Sequence, residues 1–260
     1  RQISDELQLN YTTDNLNLTA GLLYFHAKTR DSGLLGFVPN IAFAPTSTTI
    51  ALGNGSSSSG AQRADGVQDS YAAYAQLEFQ LTDQLGIVAG GRYTKDEKSG
   101  LFRDQGLFVG NRATAGSITW NRCLPANCEP AVFKKSKFTY SLGVNFEPND
   151  DMLFYAKYAT GFLSGGLYAD IPFEPEYAKS WEAGFKLDLL DDRVRFNVSA
   201  YKVSYQNAQA TTSGRAIRRA DLPIAVVSLG KLEAKGLELE LVVAPFDGFV
   251  LGSTAGYTKN

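Results

Sequence analysis

The chain has 260 residues, a formal net charge of -2 and a sequence pI near 5.6. That balance argues against nucleic-acid binding and against a polybasic membrane anchor, and no apolar run approaches the length of a transmembrane helix. A mean hydropathy of -0.17 with 12% aromatic residues suits sheet structure, including membrane-crossing strands, whose hydropathy signal is weak.

The N-terminal RQISDELQLN is not a signal peptide, and it enters a first, weakly patterned strand at 7–11. Successive strand residues point to opposite faces, so alternation reads directly as two faces. In the second strand Leu16, Leu18, Ala20, Leu22 and Tyr24 oppose Asn17, Thr19 and Gly21, and in the third Tyr71, Ala73, Ala75, Leu77 and Phe79 oppose Gln76, Glu78 and Gln80. A weaker copy covers 85–93. Phe138, Tyr140, Leu142, Val144 and Phe146 then face away from Lys137, Thr139, Ser141, Gly143 and Asn145, followed by a weak copy at 154–158. The sharpest alternation sets Trp181, Ala183, Phe185, Leu187 and Leu189 against Glu182, Gly184, Lys186 and Asp188. Val194, Phe196, Val198 and Ala200 oppose Arg195, Asn197 and Ser199; Leu237, Leu239, Leu241 and Val243 oppose Glu238 and Glu240; a last copy covers 249–257. This amounts to about ten strands, most long enough for the roughly 9–11 tilted residues that a spanning strand needs.

The connections alternate in length. Short turns rich in Asp, Asn, Pro and Gly occur at 13–15, 82–84, 148–150, 190–192 and 245–248, and long connections at 28–66, 98–131, 164–178 and 209–229. A soluble sandwich gives no reason for every second loop to be long, whereas an outer-membrane barrel has short periplasmic turns and long extracellular loops. Tyr11, Tyr24, Tyr93, Tyr158 and Tyr257 fall near strand ends, where an interfacial aromatic girdle would sit. The fold class expected is all-β, an antiparallel transmembrane β-barrel. A spanning sheet must close, so the chain reads as a piece of about ten strands from a larger barrel, unstable alone because both edge strands would be open.

Two stretches then resemble a known family. YAKYATGFLSGG at 155–166 and FEPEYAKSWEAGFKLDLLDDRVRFNVSAYKVSY at 173–205 are similar to the barrel of TonB-dependent outer-membrane receptors, through Gly161, Phe162, Ser164, Gly165, Gly166, then Phe173, Pro175, Glu176, then Trp181, Glu182, Gly184 and Lys186. Residues 231–260 and 70–98 resemble two further hairpins of that family. The resemblance implies that residues 1–260 are part of a barrel domain of roughly twenty-two strands, with the plug and the remaining strands outside the chain. It implies a Gram-negative outer-membrane location, with lipid and lipopolysaccharide around the barrel and TonB reached through the missing N-terminal plug region. It further implies import of a scarce nutrient complex, most often a ferric siderophore. A passive porin, or a receptor for an oligosaccharide or cobalamin, is the alternative; a signalling receptor or an adhesin would differ in parts beyond these residues.

The lumen candidates are Glu78, Arg92, Lys157, Glu182, Lys186, Asp188, Arg195, Glu238 and Glu240, which are expected mainly to pair across strands and to meet the plug. Ligand contact is expected from the loops instead. Arg215, Arg218 and Arg219 offer guanidinium forks for carboxylate, catecholate or phosphate groups, although lipopolysaccharide phosphates or solvent are the competing partners. Trp120 and Phe108 stand among loop aromatics that can pack on a ligand or tuck a loop down. The Gly- and Ser-rich stretch at 53–60 reads as a flexible connector. Cys123 and Cys128, the only cysteines, favour a short-loop disulfide over a metal site in an oxidising environment. No catalytic residue, metal or cofactor is expected: the sole histidine, His26, has no nucleophile elbow, and Glu238 and Glu240 are explained by alternation. The N-x-S/T triplets at Asn10, Asn17 and Asn197 lie inside strands and read as chance matches.

Overall fold

A computed structural model describes residues 1–35, 41–42, 51–52, 60–104, 122–124, 129–168, 171–218 and 224–260. In chain order the strands are β1 (Gln2–Thr12), β2 (Leu16–Leu35), β3 (Ile41–Ala42), β4 (Ala51–Leu52), β5 (Gly60–Thr82), β6 (Leu85–Asp104), β7 (Arg122–Leu124), β8 (Ala131–Asn149) and β9 (Met152–Leu163). Then come β10 (Gly166–Tyr168), β11 (Ile171–Phe173), β12 (Glu176–Leu189), β13 (Val194–Gln206), β14 (Gln209–Ser213), a 3-10 turn (Gly214–Ile217), β15 (Ile224–Ser228), β16 (Lys231–Phe246) and β17 (Phe249–Lys259). Ten of them form one antiparallel path, β1-β2-β5-β6-β8-β9-β12-β13-β16-β17, with β7 added beside β6. β1 and β17 end that path and do not pair with each other. No described helix is long and apolar enough to cross a membrane, which says nothing of a membrane crossed by strands.

Registration carries the alternation of each strand onto its neighbours, because residues directly opposite in a ladder share a face. One face therefore collects Leu22, Ala73, Tyr93 and Phe138 in one row and Phe154, Phe185, Val198 and Leu239 in another. This apolar face is bare: Trp181 is 62% exposed, Leu142 54% and Leu237 41%. Among described residues the buried hydrophobic set is only Ala72, Leu101 and Ala225, so the sheet is a single layer without an internal core. An apolar surface of that extent in water would be an aggregation face; against hydrocarbon it is satisfied. From Phe138 to Phe146 the outward band runs about 26 Å along the strand, which a 35–45° tilt reduces to about 20 Å, on the order of the apolar belt of outer-membrane barrels.

Aromatic pairs edge the band. Toward the long connections, Tyr24 meets Tyr71 at 5.2 Å, Tyr140 meets Tyr158 at 5.8 Å, and Tyr158 meets Trp181 at 4.5 Å between ring centroids. Deeper, a run of phenylalanines joins Phe146, Phe154, Phe185 and Phe196 at 5.8–6.5 Å. In these pairs the rings with a polar tip lie nearer the edge and the phenylalanine run lies lower, as an interface favours, with Phe138, 6.3 Å from Tyr140, the exception at the edge.

The short turns all fall at one end and the long connections at the other, as alternation along an antiparallel path requires. Thr82 Oγ1 accepts from Gln84 N and Leu85 N at 3.3 and 3.1 Å, and Asn149 Oδ1 accepts from Asp151 N at 3.1 Å. The 190–193 turn sets Leu190, Asp191 and Asp192 in the left-handed region. At the opposite end the structure differs from expectation: the ladder of β2, β5 and β6 continues to Leu35, Gly60 and Asp104, well inside the segments 28–66 and 98–131 read as loops. Beyond the lipid both faces meet polar surroundings, so backbone pairing persists where alternation has no reason to.

Candidate functional site

The nine charged residues expected on the second face all lie on it, opposite the apolar band. Their contacts are less ionic than expected. Among them the one ion pair is Asp188 with Arg195, where Arg195 Nε and the second guanidinium nitrogen donate to the two carboxylate oxygens at 2.7 and 3.1 Å. Glu182 accepts from the Tyr155 hydroxyl at 2.9 Å, Glu240 from Asn197 Nδ2 at 2.9 Å and Glu78 from Gln76 Nε2 at 3.1 Å. Arg92 donates to Thr94 Oγ1 at 3.1 Å and sits 5.9 Å from the Tyr74 ring centre. The Asn197 carbonyl oxygen is buried without a partner.

Three tyrosines on this polar face lie over glycines of the next strand: Tyr74 over Gly21, Tyr155 over Gly184 and Tyr201 over Gly236. A Cβ on Gly236 would meet the Tyr201 hydroxyl oxygen at 2.6 Å and the Tyr257 carbonyl oxygen at 2.6 Å. Lying flat lets a tyrosine reach across the glycine strand: Tyr74 donates to Glu6 at 2.7 Å, and Tyr201 shares a bond with Thr258 at 2.8 Å. Sequence reasoning missed these residues. Their signal was an aromatic out of phase with its own apolar positions, set against a glycine in the neighbouring strand.

At the long-connection end the sheet opens a gap. The β8–β9 ladder stops at Ser141 and Ala159, although β8 begins at Ala131 and β9 continues to Leu163. Thr160 Oγ1 bridges the edge, accepting from Tyr140 N at 2.8 Å and donating to Tyr140 O at 3.1 Å. Residues 164–168 bend over the polar side of β6 and β8. There Lys98 Nζ donates to Gly165 O at 2.8 Å, and Gly165 sits so near Phe133 that a Cβ would approach its ring to 2.7 Å. Burial holds the Lys98 amine below the ordinary lysine value. Asp96, two residues earlier on the same face, is only 6% exposed.

The next connection clasps the first. Gln209 donates from its backbone to Glu176 at 2.8 Å and from its side chain to Ser164 O and Glu174 O at 3.2 and 3.3 Å. Asn207 donates to Pro175 O at 3.4 Å, Glu174 N donates to the Ser228 hydroxyl at 3.0 Å, and Pro175 is fully buried between them. The β14–β15 hairpin rises from this clasp and carries the 3-10 turn, whose start Ser213 caps by accepting from Arg215 N at 3.3 Å. Arg215 and Arg218 are exposed there, and neither guanidinium has a partner among the described residues. Arg218 closes the turn in the left-handed conformation, φ 62°.

Arg219, Trp120, Phe108, Cys128 and the 53–59 part of the Gly- and Ser-rich stretch lie outside the described residues. Cys123 lies on β7, its backbone opposite Arg103 of β6, so its pairing with Cys128 stays a proposal. Among described residues no group of three His, Cys, Asp or Glu side chains is placed to hold a metal. His26 Nδ1 instead lies 2.8 Å from Asp69.

Comparison with known proteins places this geometry. A family model described as TonB dependent receptor-like, beta-barrel, matches residues 4–260. The ferric-pyoverdine M114 receptor PbuA of Pseudomonas sp. (strain M114) is 26% identical over 195 residues, which is 72% of this chain and 20% of that receptor. Among solved structures, the ferric yersiniabactin uptake receptor FyuA from Yersinia pestis superimposes with a TM-score of 0.69 at 16% identity, covering 99% of this chain and 35% of that one. The siderophore receptor PiuA from Acinetobacter baumannii gives 0.67 at 19%, covering 99% and 38%. The chain thus spans about a fifth of the length of the curated relative and just over a third of the solved ones.

Proposed function

From the premise that this chain belongs to the TonB-dependent receptor-like β-barrel family, we propose that it is the part of an outer-membrane importer that carries one sector of the ligand vestibule. The cargo proposed is a ferric siderophore, and the energy source the inner-membrane proton gradient, reached through TonB. The observation that carries this reading is the one-sided build of the sheet. Every short turn is at one end, while the other end rises beyond the apolar band into clasped loops over a polar face. A barrel whose work lay only in passive diffusion has no need of an organised outer cup. The names of the ferric-pyoverdine and ferric-yersiniabactin receptors among the relatives support iron as the element carried, while a copper transporter, OprC, shares the same barrel with a TM-score of 0.64.

In this reading the residues have separate tasks. Arg215, Arg218 and Arg219 offer cations to an anionic chelate, with Trp120 and Phe108 available for its apolar or aromatic parts. The polar face, with Glu238, Lys186 and the unpartnered Asn197 oxygen, faces the plug. Cys123 and Cys128 close a short disulfide loop beside the β6 extension. The barrel carries no chemistry of its own; it binds and admits.

The test is growth of a deletion strain on single iron sources against the same strain carrying the full-length gene. Uptake of each labelled ferric complex is followed with and without a protonophore. Restored uptake of one ferric siderophore that collapses with the protonophore is the expected result. Uptake unchanged for every iron complex overturns the cargo, and restored uptake indifferent to the protonophore overturns active import.

A further inference from the structure

Above the apolar band, the outward face of the sheet is not uniform in charge. Over β2, β5, β6 and β8 acids and bases answer each other: Arg30 with Asp65 at 2.9 Å, His26 with Asp69 at 2.8 Å, and Glu97 between Lys95 and Lys134 at 2.8 and 3.0 Å. Over β13, β16 and β17 they do not. Lys202, Lys235 and Lys259 stand directly side by side in one row, each the register partner of the next. Among the described residues the nearby outward acid is Glu233, 3.4 Å from Lys202, and both members of that pair are more than half exposed. Lys202 draws the Glu233 carboxyl below its ordinary value, so this one acid is already engaged.

Opposite residues in a ladder hold their Cβ atoms about 4.5–5.5 Å apart, so three ammonium groups in one row repel one another unless an external anion joins them. The height of the row identifies that anion. Lys202 pairs in register with Trp181, and the outward residues one step below Lys202, Lys235 and Lys259 are Ala200, Leu237 and Tyr257. The ammonium groups therefore leave the apolar band at the level of the interfacial aromatics, where long lysine stems reach up to the headgroup layer. They also point away from the polar face, so neither cargo nor plug can reach them. What lies at that height and on that side is a lipid headgroup.

We propose that Lys202, Lys235 and Lys259 form a binding site for the phosphate groups of the outer-leaflet glycolipid, lipid A. The site holds one sector of the barrel to a bound lipid, whereas the charge-balanced β2–β8 sector takes no fixed lipid. The proposal rests on the outer-membrane placement of the barrel and not on its cargo. Lipid retention is measured without any iron complex, so the failure of one leaves the other standing.

Detergent-purified full-length receptor is incubated with bisphosphorylated lipid A, dephosphorylated lipid A or phosphatidylglycerol, and bound lipid is read by native mass spectrometry. The wild-type protein is expected to retain bisphosphorylated lipid A in preference to both others. The K202Q/K235Q/K259Q protein is expected to lose roughly tenfold in apparent affinity, about 1.4 kcal/mol. Arginine at the same three positions should restore retention, and K134Q, in the balanced sector, should leave it unchanged. Equal retention of dephosphorylated lipid A, or of phosphatidylglycerol, by the wild-type protein overturns the assignment without any variant. Undiminished binding by the triple glutamine protein overturns it as well.

Discussion

At Gly236 the space for a side chain is already taken by the Tyr201 ring, so the glycine is required by contact and not by a turn. Gly236→Ala is expected to lift that ring, break the bond to Thr258 and destabilise the folded full-length barrel by about 1–3 kcal/mol. Gly143→Ala on the same face is expected to stay within about 0.5 kcal/mol, since a Cβ there meets nothing nearer than 3.5 Å. Denaturant midpoints in micelles give both values, and equal midpoints would show that the tyrosine seat does not matter. The two described arginines of the β14–β15 hairpin make a different kind of claim. If they meet an anionic chelate, R215Q/R218Q weakens binding of the ferric complex about tenfold while heat-modifiable folded protein is unchanged. Unaltered affinity in an equilibrium titration removes the hairpin from the binding surface.

At the scale of a strand, the two faces have different solvents, and the same substitution should report which is which. Leu142 is mid-band on the apolar face of β8 and Ser141 is its neighbour on the polar face. Leu142→Arg is expected to cost about 2–4 kcal/mol of folding stability in lipid vesicles, and Ser141→Arg much less. Comparable losses at both positions would deny the lipid assignment of the face. This contrast of solvents is also why ten spanning strands could be read from residue order alone: lipid on one side and polar groups on the other force apolar and polar residues to alternate. The pattern stops where the contrast stops. Thr29, Arg30, Asp31 and Ser32 pair with Gly66, Asp65, Ala64 and Arg63 as regularly as any residues below them, yet nothing in their order announces a strand. The β14–β15 hairpin hid in a segment read as loop, although its Ile-Ala-Val-Val run carried strand propensity. Gln209 and Lys98 were unreadable for another reason: their partners are backbone carbonyls of another connection, brought near only by the fold. Parity gathers the nine charges on the face opposite the apolar band, whereas which amide, hydroxyl or carboxylate each one meets depends on side-chain reach that residue order does not give.

Across the whole sheet, β1 and β17 each leave eleven residues with one side of the backbone unpaired. In hydrocarbon each unsatisfied group costs several kcal/mol, so residues 1–260 expressed by themselves are expected to give no heat-modifiable species in micelles or vesicles. A stable folded form of these residues alone, seen by electrophoretic mobility and circular dichroism, would contradict that. The stem formed by β2, β5 and β6 has a further consequence. From Tyr71, in the aromatic row, β5 extends to Gly60 as part of a hydrogen-bonded ladder, about 36 Å along the strand and about 28 Å in height after tilt. The tip between Leu35 and Gly60 is thus mounted on a stiff mast, so a foreign epitope spliced there would stand clear of the lipid surface, within reach of an antibody too bulky to enter the sugar layer.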